Sequence, residues 1–401
     1  MANVSSSNGL EKRPKLRFPG FDEPYRECQI GDIYAERSQR GAGDMELLSV
    51  TMNDGVMPRS EIEGKDSSSE DKSNYKVVCK GDMVYNSMRM WQGANGVSDY
   101  DGIVSPAYTV LMPTKEIDNQ YFAALFKTSK LINEFRKNSQ GLTSDTWNLK
   151  YPQIRPIRLH IPSLQEQHKL SAFIGTLEER ISKQRQLVDS LKKYKRGAVR
   201  CLLSAKSCPL RNARWTTAKM GELGSFVKGA PLSKADISED GTPFILYGEL
   251  YTTYNEVVTS VKRRTQAQVD ETFLSRVGDV VIPTSGETPE EISTASCVML
   301  PDVILAGDLN IFRGDKVDGR IMSYLLNHVV NGKIARIAQG KSVVHIQASE
   351  LCKLTLTYPD KNTQNTIIGF LSLLDDKIMN EENSLAFLSA LKEGLLQQLF
   401  I

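Results

Sequence analysis

The chain has 401 residues, a length that suggests two or three domains, and its 40% hydrophobic and 24% charged content is that of a soluble globular protein. Fifty Lys and Arg against forty-eight Asp and Glu leave a formal net charge of +2, which argues against coating nucleic acid or membranes through bulk charge. No apolar run approaches the roughly 18 residues of a membrane span, and six scattered cysteines without a CxxC pair point to reduced thiols in the cytoplasm.

Residues 1–17 pass from polar (Ser5, Ser6, Ser7, Asn8) to basic (Lys12, Arg13, Lys15, Arg17) and read as a flexible leader rather than a secretory signal. Residues 18–162 then carry the marks of a small α+β domain. Ile30-Gly31-Asp32-Ile33 and Lys80-Gly81-Asp82-Met83-Val84-Tyr85 each set a Gly-acid turn beside apolar residues, the pattern of a strand beginning. A strand is expected at Ile103 to Met112, a helical stretch at Asn119 to Arg136 and a final strand at Ile157 to Ile161.

A long helix follows over 163–205. Ser163 and Glu166 have capping-box spacing, and Leu170, Ile174, Leu177, Ile181, Gln184, Val188, Leu191, Lys195, Ala198 and Leu202 recur at alternating four and three. That is the stripe of a coiled coil. After Pro209 in the linker at 205–214, the same order returns in 206–359. Met220-Gly221-Glu222-Leu223, Val277-Gly278-Asp279-Val280-Val281-Ile282, a strand at Val303 to Arg313, a helical stretch at Gly319 to Ala338 and a strand at Cys352 to Thr357 repeat the first half. Asp360 caps a second long helix over 360–401, offset from the first by 197 residues, so that Pro162 matches Pro359, Phe173 matches Phe370 and Lys195 matches Lys392.

Residues 164–206 carry a net charge of +6 and 361–401 a net charge of −2, so the helices suit each other. The expected fold is therefore α+β, with two pseudo-repeated globular α+β domains separated by a pair of long antiparallel coiled-coil helices. Polar seam residues fix register at a cost in stability; Gln184 is expected near Lys392 and Lys195 near Glu381. A helix of about 40 residues rises on the order of 60 Å and suits a rigid spacer. The halves diverge at 45–76 and 238–272, which suggests related sites with different targets.

This layout resembles the specificity subunit of type I restriction-modification systems. The opening Leu16-Arg17-Phe18-Pro19-Gly20-Phe21 ahead of Ile30-Gly31-Asp32-Ile33, and Ile161-Pro162 followed by Glu166-Gln167, are similar to that family's conserved regions. Lys361-Asn362-Thr363-Gln364 departs from the usual Glu-Gln pair. The resemblance implies two target-recognition domains that read a split, asymmetric sequence in double-stranded DNA. It implies docking of two methyltransferase subunits, and of motor-nuclease subunits in the full complex. S-adenosylmethionine, Mg and ATP would belong to those partners, with no cofactor or catalytic residue in this chain.

The residues support a binding protein. No Pro-Pro supplies an Asn-Pro-Pro-aromatic loop, and no GxSxG occurs. His160, His168, His328 and His345 have no metal-ligand spacing. Gly340-Lys341-Ser342 ends like a phosphate-binding loop, but Ala335 replaces its first Gly. Two other readings are a coiled-coil scaffold that joins proteins without DNA, and a divergent metal-dependent nuclease around Asp54 and the Glu63-Gly64-Lys65 triplet.

Phosphates are bound by Lys and Arg, and bases are read by Arg, Asn and Gln. The DNA-binding candidates in the first half are Arg89, Arg136, Lys137, Asn138, Gln140, Thr143, Asn148 and Lys150, with Lys127 and Lys130 nearby. In the second they are Lys262, Arg263, Arg264, Lys333, Arg336, Lys341 and Ser342. Trp147 and His345 read first as core or strand residues and second as contacts. Lys192, Lys193, Arg196 and Arg200 face DNA, a partner or water.

Overall fold

A computed structural model describes residues 2–3, 13–41, 45–52, 55–62, 64, 68–143, 145–338 and 344–401. Two compact units divide the chain: residues 1–185 with 383–401, and residues 186–382. Both long helices are single and uninterrupted, Leu164–Leu202 and Lys361–Leu399, and each contributes one half to either unit.

The two globular parts repeat one design. In the first unit a four-stranded antiparallel sheet has the order Tyr34–Glu36, Tyr108–Pro113, Met83–Asn86, Asn95–Val97. In the second the corresponding order is Ser225–Lys228, Leu309–Arg313, Asp279–Pro283, Ser296–Val298, and Val257–Val258 extends it in parallel. A two-stranded ribbon opens and closes each part: Arg26–Gln29 with Arg158–Ile161, and Trp215–Lys219 with Thr355–Pro359.

Equivalent charges brace the sheets. Gly81 and Gly278 turn the chain at φ +92° and +96°, a conformation that favours glycine. The acids that follow are buried and paired, Asp82 with Arg37 at 2.6 Å and Asp279 with Arg313 at 3.1 Å.

Several local expectations are corrected. Ile30–Ile33 and Met220–Leu223 are single helical turns, because Asp32 and Glu222 accept the Gln29 and Lys219 backbone N–H and cap them. The strands expected at 103–112 and 303–313 are each broken in two. Pro106 interrupts the first, and Gly307, at φ +81°, turns the second. The helical stretches are also double: Asn119–Leu125 with Ser129–Asn138, and Gly319–His328 with Asn331–Ile337. Leu16–Arg17 is a strand rather than the end of a flexible leader. Arg17 is 5% exposed and gives two bonds of 2.8 Å to Glu166, which is 1% exposed. Glu166 therefore completes an ion pair instead of the capping box; only Ser163 acts as a cap, accepting its backbone N–H.

The helix starts are tied to the sheets by a repeated glutamine clamp. Gln167 donates to the Pro162 carbonyl and accepts the Asp118 backbone N–H, and Gln364 does the same with Pro359 and Asp318. Thr363, where the first copy has Glu166, turns instead to Asp360.

Within each unit the helix halves run antiparallel. In the first, Leu170 and Ile174 share a core with Leu396, Leu399 and Phe400; in the second, Val199 and Leu203 share one with Ile367, Ile368 and Leu371. The seam expected from the sequence is buried at Leu170, Ile174, Ile181, Val188 and Lys195, and at Ile367, Leu371, Leu374 and Ile378. Beyond Lys195 the buried stripe of the first helix moves by one residue, to Val199 and Leu203; in the second, Leu399 stays buried as expected and Leu396 and Phe400 join it. Each helix end is thereby buried in a globular core. Phe400 stacks on Tyr121 at 5.3 Å, and the Tyr121 side chain is fully buried.

The seam pairing differs from the expected one. Lys195 contacts Asp375 at 2.6 Å, and Lys392 contacts Glu178 at 2.5 Å. The two pairs are related by the same 197-residue offset. Glu381 is held instead by Lys377 of its own helix, while Gln184 is half-buried on the stripe. The globular part joins this pair: Tyr324 donates to Asp375, and Glu256 reaches Lys195 at 2.8 Å.

Lys195 is 8% exposed, and its cluster also includes His328, 2.5 Å from Glu256. Burial alone would raise the Glu256 pKa, but the bond from His328 and the charge of Lys195 hold it at about 2. Its folded pKa lies below the ordinary 4.5, so the stability it contributes is present above pH 4.5 and lost as pH falls toward 2. Breaking one partner of a buried ion pair is costly, whereas an exposed pair contributes little. Lys195→Met is expected to destabilise the chain by about 3 kcal/mol. Lys392→Met, whose partner Glu178 is 42% exposed, is expected to cost about 1 kcal/mol. Denaturant titration of both variants checks the difference, and equal losses would contradict the assigned environments.

Candidate nucleic-acid interface

The first unit gathers most of its DNA-binding candidates on one flank. After strand Met83–Asn86 the chain makes a tight turn: Asn86 accepts the Met88 backbone N–H, and its carbonyl accepts that of Arg89. Trp91, in the short helical turn Met90–Gln92, donates through Nε1 to the Met88 carbonyl at 3.0 Å. Helix Ser129–Asn138 packs on that turn and buries Leu131 and Phe135. Burying that face leaves Arg136 and Lys137 exposed in the last turn, where cations complement the helix dipole.

A braced loop follows. Gln140 and Asn148 exchange two backbone bonds of 3.0 and 2.8 Å, and the Leu149 N–H donates to the Ser87 carbonyl at 2.8 Å. Trp147 is half-buried and meets Trp91 edge-on, with ring centres 5.2 Å apart; the Arg136 guanidinium lies 5.3 Å from its ring centre. Arg89, Arg136, Gln140, Thr143, Asn148 and Lys150 thus belong to one assembly. Arg89, Arg136, Gln140, Thr143 and Lys150 are exposed in it. Lys137 is exposed but paired with Glu134 at 2.8 Å, and Asn138 folds back onto the Glu134 carbonyl. Trp91 carries no local signal in the sequence, because 56 residues separate it from Trp147.

The second unit repeats the frame with other side chains. Ile346 donates to the Thr284 carbonyl at 3.0 Å, and these residues stand 197 positions beyond Leu149 and Ser87. Val344–His345 pairs with Ser285–Gly286, so His345 is an exposed strand residue at the place of Asn148. Helix Asn331–Ile337 buries Ile334 and exposes Lys333 and Arg336. Lys341 and Ser342 lie outside the described residues, as do Asp54, Glu63 and Lys65.

The basic run at 262–264 belongs to a different sheet, on strand Arg263–Thr265 beside Thr242–Leu246. Arg263 is paired with Glu249, itself 5% exposed, at 2.7 Å, and Arg264 donates to the Gly241 carbonyl. Two of these three cations are therefore committed within their own unit; Lys262 is exposed. Arg263 neutralises a buried carboxylate that sequence inspection could not place beside it.

Groups with possible acid-base chemistry are also structural. Asp118 accepts from Ser171 at 2.5 Å and contacts His168 at 2.8 Å, while its other oxygen caps Tyr121. The serine hydroxyl thus points at a carboxylate and not at imidazole, unlike a nucleophile activated by histidine. Ala335 lies inside helix Asn331–Ile337, so that stretch cannot form the start of a phosphate-binding loop. No group of three potential metal ligands occurs among the described residues, and no helix there is long and apolar enough to cross a membrane.

Residues 28–192 match the family described as "Type I restriction modification DNA specificity domain". No curated protein sequence matches the chain. Among solved structures, the S subunit of a type I restriction-modification system from M. genitalium shares the fold with a TM-score of 0.60 and 14% identity, over 97% of this chain and 99% of that one. A chain from work on complex assembly and conformational transition of the type I R-M system gives a TM-score of 0.58 at 16% identity, over 96% and 99%.

If the first flank binds phosphates, removing cations should reduce counterion release. The triple variant Arg89→Ala, Arg136→Ala, Lys150→Ala is expected to flatten the slope of log affinity against log salt by about 2 to 3. Fluorescence anisotropy with duplex DNA at several salt concentrations measures this; an unchanged slope places the DNA elsewhere.

Proposed function

Taking the chain as one of the type I restriction-modification specificity family, with that family's DNA specificity domain at residues 28–192, we propose that it directs partner enzymes to a split, asymmetric sequence in double-stranded DNA. Each unit reads one part of the target. The observation that carries this reading is the repeated frame with divergent flanks. Leu149 on Ser87 and Ile346 on Thr284 fix the same backbone scaffold, while Arg89, Arg136 and Lys150 on one copy give way to Lys333 and Arg336 on the other. Two copies of one scaffold with different polar side chains suit two different half-sequences, because base edges are read by side-chain identity.

The long helices set the interval between the two parts and offer docking faces for two methyltransferase subunits. Those partners supply S-adenosylmethionine-dependent adenine methylation. Motor-nuclease subunits with Mg and ATP complete the assembly. This chain supplies recognition and no catalytic group. A protein scaffold that never meets DNA is less well supported, since Arg89 and Lys150 stand exposed with no side-chain partner among the described residues.

Co-expression of the chain with its cognate methyltransferase, followed by mapping of methylated adenines, should reveal one bipartite motif. Replacing residues 18–160 by the equivalent segment of another specificity subunit should change one half of that motif and leave the other intact. A change in both halves, or methylation without a bipartite motif, would overturn the modular reading.

A further inference from the structure

We propose that Leu142 is a wedge that inserts into a base step of the DNA held by the first unit, unstacking it; this rests on the DNA-binding reading of that flank. Leu142 has a relative exposure of 101%, the highest of any large hydrophobic side chain among the described residues. Scattered exposed apolar residues are common and need no function. This one differs in how its loop is built.

The base of the loop is closed by the two backbone bonds between Gln140 and Asn148. Its turn is closed by Thr146, whose N–H and hydroxyl both donate to the Thr143 carbonyl, at 3.0 and 2.9 Å. Gly141 has φ +144°, and a Cβ there would lie 2.6 Å from the Thr146 carbonyl oxygen. Trp147 of the same loop is in contact with Trp91 and Arg136. These bonds close the loop on itself and leave the Leu142 side chain in water.

The surroundings favour nucleic acid over a protein groove. Arg89, Arg136 and Lys150 lie on the same assembly, and Gln140 is exposed at the base of the loop. The loop also carries an exposed acid, Asp145. A carboxylate is repelled by phosphate, which suits a loop that enters a groove rather than one that follows the backbone. Apolar wedges between base steps are a recurrent way to kink a duplex and enlarge the contact.

The test uses the full chain with its cognate methyltransferase and a duplex bearing the methylation-mapped target. 2-Aminopurine replaces each purine in turn within the half assigned to residues 18–160, leaving out the methylated adenine and its neighbours, because a methyltransferase flips its target base out of the stack. Wild-type complex should raise the fluorescence several-fold at one step. Leu142→Asn should abolish that rise and weaken binding roughly tenfold with an unchanged salt slope, and Leu142→Met should retain both. The exposed position predicts unaltered thermal stability for either variant.

Absence of any fluorescence rise with wild type, or its persistence in Leu142→Asn, would overturn the wedge. So would loss of methyltransferase association in Leu142→Asn without a DNA effect. The triple cation variant separates this from the broader reading. A flattened salt slope with no unstacking rejects only the wedge, whereas an unchanged slope rejects DNA contact at this flank.

Discussion

Neither globular core is complete without the end of a long helix that starts in the other unit. Val199 and Leu203, at the end of the first long helix, belong to the core around Met220, Ile321 and Leu325. Leu396, Leu399 and Phe400, at the end of the second, belong to the core around Tyr121, Phe122 and Ile161. A helix that serves two cores cannot slide by a turn without withdrawing buried apolar groups from one of them. Burial of a Leu or Phe side chain contributes about 1.5–3 kcal/mol, so these anchors dominate the choice of register. The seam charges then occupy positions set for them.

This explains why the same Lys-acid pair occurs in both copies with such different surroundings. In the second unit Tyr324, Glu256 and His328 enclose Lys195 and Asp375, and the cluster is a buried joint between helix and head. In the first unit Lys392 meets Glu178 nearer to water. Ion pairs in a low-dielectric setting resist disruption because the partner left behind is an unpaired buried charge.

The candidate interface shows the complementary behaviour. Its backbone frame is repeated, but its side chains are not. A net charge of +2 is compatible with this because phosphate contacts need a local group of cations rather than a charged molecule. Near-neutral overall charge suits the proposed role, in which residence on DNA depends on base contacts and on partners that enclose the duplex. The resemblance in sequence covers residues 28–192, while the likeness in fold extends through both copies.

The amino-acid sequence by itself determined the repeat, the two long helices and their capped starts. Those features rest on local periodicity and short-range hydrogen bonding: Leu170 through Val188 keep their stripe, and Asp360 caps its helix as expected. It also brought together most of the first flank, because Arg136 through Lys150 are close in the chain. Only tertiary structure decided that Trp91 meets Trp147, that Lys195 pairs with Asp375 and Glu256, and that Arg263 is committed to Glu249. Each of those contacts joins residues whose distance in the chain carries no period, and each depends on which charge or ring is buried beside another. Periodicity can be counted along a chain; desolvation is known only once the chain has folded.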